Sequence, residues 1–151
     1  IIMPGYWNKP EATAETIVDG WLHTGDVGHL DEDGYLYITD RAKDMLIRGG
    51  ENVYCVEIEN RLVEHPSIAD AAVVGVPHET LGEEVKAVIE LAPGAELDDA
   101  EVQRWVAEAL AAFKVPTIIE RWDGKLPRNA SGKILKHVLR GEGHVSFAET
   151  M

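Results

Sequence analysis

A single cysteine, Cys55, among 151 residues leaves no partner for an internal disulfide, which fits a reducing compartment such as the cytoplasm. Basic residues are scarce: 14 Lys and Arg stand against 27 Asp and Glu, a net charge of -13. Nucleic acid and anionic membranes are therefore poor partners for the chain as a whole. No apolar run approaches the ~18 residues of a membrane span and no signal peptide is visible, so no transmembrane segment is expected. Internal repeats and low-complexity segments are also lacking. The first residue is Ile rather than an initiator Met, which suggests a piece of a longer chain. The remainder, 45% hydrophobic and 27% charged, is the composition of a soluble globular protein long enough for one real core.

Several familiar sites are missing as well. The Ser131-Gly132-Lys133 triplet looks like the end of a phosphate-binding P-loop, but that motif needs Gly where Pro127 stands and Ser or Thr where Ile134 follows. A calcium loop aligned on Asp31, Asp33 and Gly34 would need an acid in place of His29 and Glu in place of Asp40. The six histidines have no zinc spacing, so no metal site is expected. Cys55 falls on the apolar side of a predicted helix, the position of a core residue rather than a nucleophile.

Charge is unevenly spread. Residues 1–40 hold eight acids against one base, Lys9, whereas residues 114–140 hold seven bases against two acids. A basic stretch on an acidic chain points to a local anionic ligand such as a nucleotide; a solvated basic face would look the same.

Residues 1–25 read as irregular connections rich in Pro, Gly and Trp. Residues 29–40 read as a hairpin turning at Asp33-Gly34. From about residue 41 to 140 the pattern is that of an α+β domain, with a short mixed or antiparallel sheet packed by about three helices. Cys55, Ile58 and Leu62 share one helical face, where Glu57 and Arg61 can pair and Pro66 marks the stop. Residues 68–76, 83–91 and 117–122 read as strands. The clearest helix is 99–112, with Asp98 as N-cap, Glu101 three residues on, and Leu97 able to staple to Val102. Residues 141–151 read as a mobile tail.

One stretch, LPRNASGKILK at 126–136, poses a problem of charge. The apolar spacing over 134–139 predicts a short helix, placing Lys133 at or next to its N-terminus. There the backbone already carries about half a positive charge, and an acid would be favoured. Gly132 keeps the approach to this cation open.

Three segments, GWLHTGDVG (20–28), YITDRAKDMLIRGGENVYCVEIE (37–59) and LPRNASGKILK (126–136), resemble in content, order and spacing the last three signature motifs of the adenylate-forming enzymes. That superfamily includes acyl-CoA synthetases, nonribosomal adenylation domains and luciferases. The resemblance covers about residues 1–140 and implies the C-terminal end of a longer enzyme. Residues 1–40 would be the last part of a large N-terminal adenylation domain, and 41–140 a small mobile lid. The family's acyl pocket and pyrophosphate-binding loop are not found in this chain, so alone it is expected to be inactive.

The resemblance also implies roles. Lys133 matches the catalytic lysine that meets carboxylate and phosphate oxygens together, where positive charge offsets their repulsion. Asp26 matches the aspartate that accepts from the ribose hydroxyls, a task suited to an acceptor-only carboxylate; a turn or cap aspartate is the alternative. Arg41 matches the arginine that orients the nucleotide, or else is a surface ion pair with Asp40 or Asp44. Lys43 matches the hinge about which the lid rotates between half-reactions. Gly49, Gly50 and Glu51 match the face that admits the pantetheine arm of CoA; an ordinary turn is the alternative. Related sequences often carry Pro at the place of Cys55, which suits a first helical turn. The expected substrates are ATP with Mg2+, CoA and a small-molecule carboxylic acid, with no tightly bound cofactor and no resident metal.

Within the superfamily, GYWNKPEAT and RGGENVYCVEIE look most like the acyl-CoA synthetase branch, acting on a fatty or similarly apolar acid. A peptide-synthetase-like adenylation domain is one alternative. The other is a non-catalytic nucleotide-binding or interaction module.

Overall fold

The computed structural model describes residues 2–42 and 44–141. Lys43, the expected hinge, and all of the expected tail except Gly141 lie outside the described residues. The chain divides between Ala42 and Lys43 into two compact units.

The first unit contains α1 (Pro10–Thr16), β1 (Ile17–Val18), β2 (Trp21–Leu22), β3 (Asp26–Leu30) and β4 (Leu36–Arg41). Residues 1–25 are thus less irregular than their composition suggests. Pro10 opens α1, where its fixed φ is already helical and its missing N–H costs nothing. β1 and β2 pair antiparallel across Asp19 and Gly20, both at positive φ (50° and 81°), as a tight hairpin turn requires. The Asp-Gly signal was present, but two-residue strands are too short to show alternation.

The hairpin expected over 29–40 is formed by β3 and β4, paired antiparallel with a bulge between Val27 and Gly28. Asp31 Oδ1 accepts from the N–H groups of Asp33 and Tyr35 (3.0 and 2.8 Å), closing the turn. A Cβ at Gly28 would lie 2.5 Å from the Tyr37 carbonyl oxygen, so only glycine fits there. No described residue of this unit is buried, and Trp7, Trp21, Leu30, Tyr35 and Leu36 are exposed.

The second unit is α+β. It contains β5 (Met45–Arg48), β6 (Glu51–Tyr54), α2 (Cys55–Val63), β7 (Ile68–His78), β8 (Gly82–Leu91), α3 (Asp99–Ala107), a 3-10 turn (Ala112–Lys114), β9 (Ile118–Arg121) and α4 (Lys136–Leu139). The sheet runs β6-β5-β8-β7, with β9 also on β8. All pairings are antiparallel except β8–β9, which is parallel over residues 86–89 and 118–121.

Alternation along β7 and β8 sends side chains to two cores. Ala71, Val73, Val85, Ala87 and Ile89 pack with Cys55, Ile58 and Leu62 of α2 and with Val102 and Val106 of α3. Ala72, Val74 and Val88 pack on the other side with Leu126 and Leu139, flanked by Trp122 and Ile134. Cys55 is buried in the first core, as its helical position implied.

The N-cap of α3 forms as read: Asp98 Oδ1 accepts from Glu101 N at 2.7 Å, and Leu97 and Val102 share the core. The helix ends at Ala107, short of the expected residue 112. The expected Glu57–Arg61 pair is absent. Lys114 takes Glu57, while Arg61 bonds Glu64 and Glu108 and stacks on Trp105, 3.6 Å from the ring centre. Tertiary partners outcompete an i,i+4 pair worth only a few tenths of a kcal/mol.

Candidate functional site

Asp26 and Arg41 face each other across the β3–β4 pair. Arg41 Nε lies 3.0 Å from Asp26 Oδ1, an ion pair across the hairpin where the sequence suggests Asp40 or Asp44. Thr24 Oγ1 accepts from Asp26 N (3.1 Å), and the Asp40 carboxylate accepts from Arg41 N (2.7 Å). A carboxylate and a guanidinium are thus held side by side at one end of the hairpin. Asp26 keeps 28% side-chain exposure and Arg41 57%, leaving donors and acceptors for a ligand.

Lys133 does not begin a helix. The first helical residue of α4 is Lys136, and Ile134 instead bridges Arg128, which makes 128–134 a tight loop. Its organiser is Asn129. The Oδ1 atom accepts from Ser131 N, Ser131 Oγ and Lys133 N (3.1, 2.8 and 2.9 Å), while Asn129 N donates to the Lys133 carbonyl (2.9 Å). Gly132 sits at φ 84°, a left-handed position that glycine takes without strain. The ammonium of Lys133 is solvent-facing and makes no ion pair among the described residues. The electrostatic conflict between cation and helix dipole that the sequence implied therefore does not arise.

Three ties fix this loop to the body of the second unit. Arg128 pairs with Asp70 at the start of β7. Lys86 Nζ donates to the Leu139 carbonyl at the end of α4 (2.9 Å) while pairing with Glu120 (2.6 Å). Lys136 Nζ lies 2.8 Å from Glu59 Oε1, an oxygen that also accepts from Val73 N at 2.8 Å. Burial alone would lower the Lys136 pKa, but the charge and hydrogen bond of Glu59, with Cys55 and Asp44 adding, raise it above the ordinary lysine value. Sequence reasoning missed Lys86, Lys136 and Glu59. Nothing in their spacing distinguishes them from solvated charges.

Gly49 and Gly50 form the two-residue turn between β5 and β6, at φ 59° and 89°. Positive φ at both central residues is what such a hairpin needs. Gly49 N donates to the Leu81 carbonyl (2.8 Å), and nothing lies within 4 Å of a Cβ placed on Gly50. Glu51 follows, exposed. Arg48, just before the turn, grips Glu84 with two hydrogen bonds (2.6 and 3.1 Å) and the Phe113 carbonyl with a third (3.3 Å). Burial pushes the Glu84 carboxyl upward, yet Arg48, the Val85 N–H and Thr117 together hold it below the ordinary value.

The glycine turn and the lysine loop are tied to opposite ends of one ribbon. Leu81 lies beside the His78–Gly82 pair, while Asp70 pairs with Glu90. The nine residues of strand from Asp70 to His78 span about 25 Å.

Among the described residues no helix is long and apolar enough to cross a membrane. Residues 57–133 match the family model described as the AMP-binding enzyme C-terminal domain. The feruloyl-CoA synthase of an Amycolatopsis species is 49% identical over 92% of this chain and 28% of its own length. The long-chain-fatty-acid–CoA ligase of Bacillus subtilis is 48% identical over 93% of this chain and 25% of its own. Among solved structures, o-succinylbenzoate CoA synthetase from Bacillus subtilis, in complex with its acyl-adenylate intermediate, superposes with a TM-score of 0.85 at 38% identity. It matches 92% of this chain and 28% of that one. The chain thus spans about a quarter of the length of these relatives, which act on different acids. By its motifs, its mixed sheet and its matched residues, the chain belongs to the adenylate-forming AMP-binding enzymes, of which it carries the C-terminal domain.

Proposed function

We propose that this chain is the C-terminal portion of an AMP-forming acid–thiol ligase. The carboxylate of an acid attacks the α-phosphorus of ATP, forming the acyl-adenylate and releasing pyrophosphate. The thiol of CoA then attacks the acyl carbon and AMP leaves. Residues 1–42 complete a larger adenylation domain that precedes them in the parent chain, and the second unit is its lid, with Lys43 as the hinge. Wide exposure of apolar side chains in the first unit, with no buried residue among those described, fits the edge of a larger body.

The observation that carries this reading is Lys133: an exposed cation with no ion-pair partner among the described residues, on a loop ordered by Asn129 and anchored by Arg128–Asp70. Such a cation reaches the acid carboxylate and the α-phosphate together, and those anions favour its charged form. Asp26 Oδ2 accepts from the ribose diol while Arg41, already bonded to Oδ1, orients the nucleotide. Mg2+ accompanies ATP as part of the substrate. The Gly49-Gly50 turn and Glu51 admit the pantetheine arm where a side chain would block it. The apolar-acid preference, a fatty acid above all, rests on the branch resemblance and on relatives such as the long-chain-fatty-acid–CoA ligase. The lone cysteine fits a cytoplasmic setting.

Acid-dependent ATP–pyrophosphate exchange by the intact parent enzyme tests the proposal over a panel of carboxylic acids. Lys133→Ala should cut exchange by about 10²–10³, the loss expected for one preorganised charge-stabilising donor. Absence of exchange with every acid would refute the ligase reading. Undiminished exchange in the variant would refute the role of Lys133.

A further inference from the structure

Lys133 needs a loop that does not wander, since misplacement of a catalytic charge by about 1 Å costs about 10²-fold in rate. The loop's own hydrogen bonds set its shape but not its place on the sheet. Its C-terminal end runs into α4, a helix of four residues, far too short to hold itself. What holds α4 is its contact with β7 and β8. Leu139 packs on Val74 and Val88, Lys86 takes the Leu139 carbonyl, and Lys136 reaches Glu59.

The last contact differs from the surface pairs of this chain. Both side chains are largely withdrawn from water, at 16% and 19% exposure, and Glu59 is committed to the Val73 backbone as well. The Glu59 carboxylate therefore sits at a place fixed by α2 and β7 at once, and Lys136 has one position in which it is paired. Lys136 stands three residues after Lys133, with only Ile134 and Leu135 between, and Leu135 N is itself bonded to the Pro127 carbonyl (2.8 Å). Any shift of Lys136 is passed directly to the loop.

We propose that Glu59 and Lys136 are positioning residues for the adenylation step, their shielded ion pair setting where the Lys133 loop sits on the second unit. This rests on the ligase reading above. The pair meets β7 at Val73, five residues and about 16 Å of strand from His78 at the glycine-turn end, so its loss bears on adenylation and not on thioester formation.

The test uses the full-length parent enzyme with Lys136→Met, Glu59→Gln and Lys136→Arg. Two half-reactions are measured: ATP–pyrophosphate exchange, and CoA thioester formation from synthetic acyl-adenylate. Lys136→Met and Glu59→Gln should lower kcat for exchange by about 10- to 100-fold, in keeping with a misplaced catalytic group. Thioester formation should stay within about two-fold of wild type, and Lys136→Arg should restore most of the exchange, since the guanidinium keeps charge and reach. Amide hydrogen exchange gives a second readout that needs no turnover: the Ser131 and Lys133 amides should lose protection in Lys136→Met while those of β8 keep it. Equal losses in both half-reactions, or unchanged loop protection, would overturn the proposal. A wild-type enzyme without exchange activity but with loop protection dependent on Lys136 would separate failure of the ligase reading from failure of the pairing.

Discussion

Removal of the Arg48 side chain tests the electrostatic reasoning most sharply. Glu84 is nearly out of water, with 8% of its side chain exposed, and Arg48 retains 18%. In Arg48→Met the aliphatic stem is roughly kept, so packing changes little, but Glu84 loses two of its hydrogen bonds and its countercharge. Leaving one member of a buried pair uncompensated costs about 3–5 kcal/mol; the residual exposure of Arg48 points to the lower end, about 3 kcal/mol. The pH dependence carries the diagnostic sign. In the wild type the Glu84 pKa is depressed below its unfolded value, so its stabilisation is present above that value and lost as pH falls through the folded pKa. In the variant burial is left to dominate, the folded pKa rises above the unfolded one, and protonation relieves the defect. Urea denaturation followed by circular dichroism should therefore show a gap of about 3 kcal/mol at pH 7 that narrows to about 1 kcal/mol below pH 4. A gap equal at both pH values would mean that lost packing, not a buried unpaired charge, explains the change.

Two further substitutions probe the local structure. Gly50→Ala has open space around the new methyl group, so its cost is backbone alone, about 1–2 kcal/mol for a left-handed L-residue; a shift in urea midpoint with unchanged slope would show it, and no shift would contradict the turn geometry. Leu139→Ala removes a buried leucine of the smaller core and should lower stability by about 2–5 kcal/mol in chemical denaturation. A loss under 1 kcal/mol would mean that α4 is not held by that core.

Legibility in the sequence followed the length of each element and the locality of its contacts. α2, β7, β8 and the Asp98 cap were readable because each writes its period or its cap into consecutive residues. The β5–β6 hairpin leaves only a short apolar run, Met45-Leu46-Ile47, in the sequence, because its strands have four residues each and its glycine turn lies in a charged stretch. Ile134 and Leu135 looked helical by hydrophobicity, yet Ile134 is spent on a bridge to Arg128 and the small core. At the candidate site, Asp26 and Arg41 come from motif resemblance alone, and Lys133 from that resemblance and a charge argument that the later start of α4 removes. That Asp26 and Arg41 meet follows from hairpin register, which no local pattern discloses. The Lys136–Glu59 pair joins residues 77 positions apart by way of a sheet edge, a contact that exists only once the whole domain has folded.

β7 is the outermost strand of its sheet, bonded to β8 on one side only, and at eleven residues it is the longest strand described. A strand of that length with a bare flank invites pairing with another molecule. Here the carboxylate of Glu59 occupies the Val73 N–H, Lys136 lies against that carboxylate, and Arg128 sits on Asp70. Fixed charges along the flank oppose a strand that would dock there with its own backbone. The ties that steady the lysine loop thereby also protect the domain against aggregation through its sheet edge.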